Sequence, residues 1–216
     1  MIIFDWDGTL CDSVSQIVTS IQSAASELGV EVPSDEAAAN IIGLGLPQAV
    51  AVLFPDAPET LLEDIARVYS RHYVNSEQGP PRLFPGALET LQALKDRGLE
   101  IAVATGKSRR GLDRVLGVLG LEDFFHTSRC ADETRSKPDP LMLVEIMQER
   151  GVAPAEVVMI GDTEYDLAMA AHAGVPSVGV SYGVHSPERL SGHAPVAIVD
   201  SLPELLDLPA LAARRS

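Results

Sequence analysis

The feature that most constrains this chain is a repeated alternation of short apolar runs with helix-period segments. Apolar runs lie at Met1–Phe4, Leu99–Ala104, Phe124–Thr127, Val157–Ile160 and Ser177–Val180, with a sixth at Val196–Val199. Each has the length of a buried strand. Helical patterns fall between them, at Gly86–Arg97, Ser108–Leu119, Pro140–Arg150 and Glu164–Ala173. Strand–helix alternation of this kind predicts an α/β fold with a mostly parallel sheet. Such sheets take ligands at the carboxyl ends of their strands.

One stretch breaks the alternation. From Ser13 to Pro81 only helical periodicity is visible, carried by Val14, Ile17, Val18, Ile21 and Leu28, then by Leu61, Leu62, Ile65, Val68 and Tyr69. Turn-rich breaks at Gly29 to Pro33 and at Gly43–Leu44–Gly45–Leu46–Pro47 divide it. The expected organisation is an α/β core from residues 1–12 and 82–216, with a small helical domain over 13–81. The link back, Gly79 to Gly86, is stiffened by Pro80, Pro81 and Pro85. The tail from Leu202 to Ala213 is expected to form a last surface helix.

Charge narrows the function. Acidic residues number 31 and basic residues 16, for a net charge of −15, which repels nucleic-acid backbones. No apolar run approaches the roughly 18 residues of a membrane helix. The start, MIIFDWDG, lacks the basic opening of a signal peptide. Cys11 and Cys130 are too few for a disulfide framework or a four-cysteine metal site. A cytoplasmic location is therefore expected.

The chemistry-bearing residues sit where the apolar runs end. Asp5–Trp6–Asp7–Gly8–Thr9 follows the first run, and Gly161–Asp162–Thr163–Glu164–Tyr165–Asp166 follows the fourth. Solvated loop acids and an N-cap role for Asp162 are the structural alternatives. Taken together, Asp5, Asp7, Asp162 and Asp166 would put four carboxylates in one crevice. Two carboxylates about 4 Å apart repel by roughly 4 kcal/mol at an effective dielectric near 20, so the cluster calls for a cation. All-oxygen ligands favour a hard divalent ion, with Mg²⁺ the default.

Two other run ends carry the opposite polarity. Thr105–Gly106–Lys107–Ser108 offers a hydroxyl and backbone N–H groups suited to an anion, or else a plain helix cap by Ser108. In Ser136–Lys137–Pro138–Asp139–Pro140 two prolines fix the backbone around Asp139 and lead into a helix. Of three lysines, Lys95, Lys107 and Lys137, the last is the stronger candidate for a point charge on phosphate. Lys107 reads equally as a surface residue. Acids, a hydroxyl, N–H donors and a lysine at one sheet edge are the set that phosphoryl transfer requires.

In these residues the chain resembles the haloacid dehalogenase superfamily of phosphatases. Four motifs match in order: Asp5–Trp6–Asp7–Gly8–Thr9, Thr105–Gly106, Lys137–Pro138, and Gly161–Asp162 with Asp166. Trp6 departs from the aliphatic residue commoner at that place. The helical insert resembles the family's type 1 cap. Leu10–Cys11–Asp12–Ser13, Gly43 to Pro47 and Ser136–Lys137–Pro138 are similar to the phosphoglycolate phosphatase group. The resemblance implies a Rossmann-like parallel-sheet core with an inserted cap, and a Mg²⁺-dependent phosphatase. It implies that Asp5 is the nucleophile, forming an aspartyl-phosphate, and that Asp7 is the general acid and then the base. Asp5, the backbone carbonyl of Asp7, and Asp162 would hold Mg²⁺, supported by Asp166. Thr105, Gly106 and Lys137 would hold phosphoryl oxygens. The implied partner is a small phosphorylated metabolite such as phosphoglycolate, acted on by a monomer or homodimer.

Other readings compete. A dehalogenase would not need Asp7, and a phosphonate hydrolase would need a cap lysine, which residues 13–85 lack. A sugar phosphomutase keeps the acids but usually lacks the threonine at Thr9. A phosphoaspartate switch protein is usually far shorter. Arg71 and His72, in the cap, are candidates to face substrate. Cys11, Cys130 and His172 read as structural, and His185 and His193 as loop residues that could be surface.

Overall fold

The computed structural model describes residues 1–76 and 79–211. In chain order it runs β1 (Ile2–Phe4), α1 (Val14–Leu28), α2 (Asp35–Asn40), α3 (Leu46–Leu53), α4 (Glu59–Asn75), α5 (Ala87–Asp96), β2 (Ile101–Thr105), α6 (Arg109–Leu119), β3 (Thr127–Cys130), α7 (Leu141–Arg150), β4 (Val158–Gly161), α8 (Glu164–His172), β5 (Ser177–Val180), α9 (Pro187–Ser191) and β6 (Ala197–Val199). The strands form one parallel sheet in the order β3-β2-β1-β4-β5-β6. The order reverses between β1 and β4, which opens a crevice at their carboxyl ends.

The pleat explains why both faces are covered. Ile2, Phe4, Ile101, Val103, Val158 and Ile160 point to one side, where they meet Leu91 and Leu94 of α5 and Leu112 and Leu116 of α6. Ile3, Ala102, Ala104 and Met159 point to the other, against Met142 and Ile146 of α7 and Met169 and Ala170 of α8. Strands buried on both faces read as continuous apolar runs.

The third strand corrects the sequence reading. It lies at Thr127–Cys130, beyond the apolar stretch Phe124–Thr127. As an edge strand it carries half-buried polar residues, and Arg129 reaches Glu145 and Glu149 on α7. Phe124 and Phe125 instead pack edge-on to each other, and Phe125 meets Trp6 at 6.2 Å between centroids. The expected tail helix is two short 3₁₀ turns, Leu202–Asp207 and Pro209–Leu211. Leu202, Leu205 and Leu211 are buried against the core, so this segment is not a surface helix. Residues 212 and 213 of that expectation lie outside the described residues.

The regular elements in the insert's described residues are all helices, α1 to α4. Ile17, Ile41, Ile42, Ala49 and Tyr73 form one apolar cluster, and Ile21, Ala38, Val50 and Ile65 another. Asn40, at the end of α2, ties it to the core: its carbonyl accepts from the Tyr165 hydroxyl at 2.9 Å and its side chain from Arg189. No helix among the described residues is long and apolar enough to cross a membrane.

Phe4 is fully buried on a central strand. Phe4→Ala should lower unfolding free energy by about 3–5 kcal/mol in urea titration, through lost burial and the cavity left behind.

Candidate active site

Four loops at the carboxyl ends of β1, β2, β3 and β4 converge in the crevice. The Asp5 N–H donates to the Ile160 carbonyl at 2.9 Å, which carries the β1–β4 pairing one residue past the strand. Asp5, Asp162 and Asp166, all buried, bring carboxylate oxygens within 4.8 Å of one another. Lys137 stands between two of them, its ammonium donating to Asp5 Oδ1 and to Asp166 Oδ1, each at 2.6 Å.

Each acid is fixed by its local sequence. Asp166 lies three residues after Thr163, the N-cap of α8, and the two form a capping box: the Thr163 N–H and hydroxyl both donate to Asp166 Oδ2. The cap role considered for Asp162 thus falls to Thr163. Asp162 instead accepts from the Thr9 hydroxyl at 2.8 Å and from the Val184 N–H at 2.9 Å. Gly8, at φ 84°, lies against it; a Cβ there would stand 2.3 Å from Asp162 Oδ2, and one at Gly183 would stand 2.2 Å from Asp162 Cβ. Only residues without side chains fit on either side of this carboxylate.

Burial shapes the electrostatics. It pushes the Asp5 carboxyl well above its ordinary range; Lys137 pulls it back down, but Asp166 and Asp162 add to the rise. Burial and the neighbouring Asp166 push Asp162 up to about 7, against the donors Val184 and Thr9. Burial disfavours the Lys137 ammonium, yet Asp166 and Asp5 outweigh it and hold that group above its usual value. With all three carboxylates ionised, one ammonium leaves a surplus of two negative charges. Asp5 Oδ2 is buried with no hydrogen-bond partner. A hard divalent cation fits both the charge and the all-oxygen donors.

Asp7 lines the same crevice as Asp5 but is not part of the close cluster. Its carboxylate stands apart from the triad, accepting from the Ser13 hydroxyl at 2.6 Å and from the Lys107 ammonium at 2.9 Å. Lys107 is half-buried beneath the cap and is not a free surface residue. Burial disfavours its charge, but Asp7, with help from Tyr73 and Tyr69, raises it above the usual lysine value. Its ammonium also reaches the Tyr73 hydroxyl of α4 at 3.2 Å. This role for Lys107, and those of Ser13 and Tyr73, were missed in the sequence. Thr105 is fully buried, and its hydroxyl accepts from the Lys107 N–H at 3.1 Å. Gly106 meets the cap: a Cβ there would stand 2.5 Å from the Leu44 carbonyl. The Gly45 N–H donates to the Ser136 hydroxyl at 2.7 Å, so the loop between α2 and α3 touches two core motifs.

Several other residues are settled by their partners. Arg71 and His72 both bind Glu27 on α1. Arg71 also lines the chamber above Asp5 and Asp7. His185 is buried, not surface, and its Nδ1 accepts from the Glu164 N–H at 2.9 Å. Ser108 caps α6, accepting from the Gly111 N–H. Burial and the nearby Asp7 push the Cys11 thiol up to about 12, which leaves it inert. Cys130 is packed at the end of β3.

The comparisons with known proteins agree with this architecture. The model of the haloacid dehalogenase-like hydrolase family matches residues 2–180, and the chain belongs to that family. It is thus an enzyme of the hydrolase class. It is 33% identical over 210 residues to the protein named Probable phosphatase IndB of Dickeya dadantii, covering 95% of this chain and 91% of that one. It is 30% identical over 217 residues to a phosphoglycolate phosphatase of Vibrio vulnificus, covering 96% and 95%. The crystal structure of a haloacid dehalogenase-like hydrolase from Bacteroides fragilis superposes with a TM-score of 0.88 at 29% identity, covering 94% of this chain and 98% of that one.

The Lys107–Asp7 pair generates a stability prediction. Lys107→Met leaves the Asp7 carboxylate without its cation. It should cost about 2–3 kcal/mol in urea unfolding, below the full penalty for a buried pair because both groups keep some exposure. The double variant Lys107→Met with Asp7→Asn should recover part of that loss in a double-mutant cycle.

Proposed function

We propose that this hydrolase is a Mg²⁺-dependent phosphatase that cleaves a small phosphate monoester through an aspartyl-phosphate on Asp5. The observation that carries this reading is the buried triad of Asp5, Asp162 and Asp166 with Lys137 at the β1–β4 crevice. Names of relatives support it, and they make phosphoglycolate the reference substrate.

Asp5 and Asp162, with the backbone carbonyl of Asp7, would hold Mg²⁺, and Asp166 would support them from behind. When bound, the ion supplies positive charge that balances the acids and the phosphoryl oxygens. The remaining chemistry belongs to the chain. The Asp5 carboxylate attacks phosphorus, and the bond to the leaving oxygen breaks. Asp7 gives that oxygen a proton. Asp7 then takes a proton from the water that cleaves the phosphoenzyme, releasing phosphate and restoring Asp5. Ser13 and Lys107 keep the Asp7 side chain clear of the triad. Lys137 has a third N–H beyond its two carboxylate bonds, and it, the Thr105 hydroxyl and the Gly106 N–H are the donors for the phosphoryl group.

Two experiments test this. Asp5→Asn should form no phosphoenzyme. Asp7→Asn should slow alkyl phosphates by roughly 10²–10⁴-fold, yet release a burst of p-nitrophenol from p-nitrophenyl phosphate, near one per site, before slow turnover. Rapid quench with labelled substrate counts the intermediate, and a linear course at wild-type rate removes Asp7 from the role of acid and base. Separately, Mg²⁺ must displace the proton that Asp162 holds below about pH 7. Mg²⁺ affinity by calorimetry should therefore weaken about tenfold or more per pH unit as pH falls below that value, since Asp5 is raised as well, and affinity that stays flat from pH 5 to 8 contradicts the assignment of these two acids.

A further inference from the structure

A chamber of about 550 Å³ lies between the cap and the core, lined on the core side by Asp5 and Asp7. It has the size of a small-molecule pocket, roughly 300–1,000 Å³, and far exceeds what a two-carbon acid fills. Its cap walls are mostly apolar: Ile17, Ile42, Leu44, Leu46, Val50 and Tyr69 line it, with Ser70, Arg71 and Asn75 of α4 as the polar exceptions. These side chains come from α1, α3, α4 and the α2–α3 loop, so the lining is a property of the whole insert and not of one stray residue.

The cap side of the chamber offers little free charge to a second anionic group on the substrate. Among the described residues, Arg71 is the one cation that the cap contributes to the lining, and Glu27 already holds it. Lys107 is committed to Asp7. Arg110 and Arg114 stand on α6, the former exposed and the latter with its guanidinium 5.8 Å from the Tyr73 ring centroid. A carboxylate placed among the isoleucines and leucines would lose its hydration and meet no buried cation in return. An alkyl or aryl group placed there gains from leaving water.

We propose that the organic body of the substrate is apolar, an alkyl or aryl group of at least four carbons seated against the cap walls. Phosphoglycolate is then a poor substrate. This inference rests on the phosphatase reading and deepens it. The loop at Leu44–Gly45–Leu46 fits the same picture. It is pinned to Gly106 and Ser136 beside the phosphoryl donors, while its two leucines turn to the chamber. One loop thus joins the end that holds phosphate to the walls that receive the body.

The test compares kcat/KM for ethyl, butyl and hexyl phosphate and for phosphoglycolate, with Mg²⁺ and the full chain. Acetyl phosphate is the control, because it is small and its leaving group needs no proton. Each added methylene should raise kcat/KM about three- to fourfold, so hexyl phosphate should exceed ethyl phosphate by on the order of 100-fold and exceed phosphoglycolate as well. Leu46→Asp should flatten that chain-length profile. Should Leu46→Asp not fold, calorimetry on Asp5→Asn with Mg²⁺ replaces it, and hexyl phosphate should bind more tightly than phosphoglycolate, with a negative heat-capacity change. A flat profile, or preference for phosphoglycolate over hexyl phosphate, overturns the apolar-body proposal while turnover of acetyl phosphate leaves the phosphatase reading standing. Failure to turn over acetyl phosphate and every ester overturns both.

Discussion

A single buried ammonium holds the centre of this molecule together. Lys137 comes from the loop after β3, Asp5 from the end of β1 and Asp166 from the first turn of α8, so three separate connections meet at one nitrogen. Removing a charge from water costs several kcal/mol, and only well-placed partners return it. Here the partners over-return it, because the acids outnumber the lysine. The negative surplus is what makes the crevice receptive to a cation, and the orphaned Asp5 Oδ2 marks where the hydrogen bonding of the protein alone falls short.

The second acid centre is arranged differently. Asp7 looks away from the triad and toward the cap, and its cation Lys107 touches Tyr73 on α4. The surroundings of the proposed proton carrier therefore include a residue of the cap. The same is true of Gly106, which fits under the Leu44 carbonyl only because it lacks a side chain. Lids that complete a site on closing are a general device, and here the completing contacts involve two residues of the loop after β2.

Much of this was legible in the sequence, for physical reasons. Strands buried on both faces must be apolar throughout, so β1, β2, β4 and β5 showed as runs, and the edge strand β6 showed because Ala197, Ile198 and Val199 are apolar as well. β3 did not, because an edge strand tolerates Thr127, Ser128 and Arg129, while the neighbouring Phe124 and Phe125 serve the packing around Trp6. Asp5 and Asp162 showed because they directly follow strands, and Asp166 and Lys137 because they stand in the turn or loop that leads on from one. Lys107 looked like a surface residue because its cover comes from α4, more than thirty positions away in the chain. Arg71 and His72 pair with Glu27 on another helix, and His185 is buried with its ring bonded to the start of α8; spacing along the chain carries neither fact.

Asp162 has one further consequence. Gly8 and Gly183 close on it from two directions, and Thr9 and Val184 hold its two oxygens. A carboxylate so confined cannot swing to widen its grip. Ca²⁺ asks for more ligands at longer and more variable distances than Mg²⁺ does. Under the proposed reading, discrimination by ionic radius is then a property of two residues that have no side chain and never touch the ion.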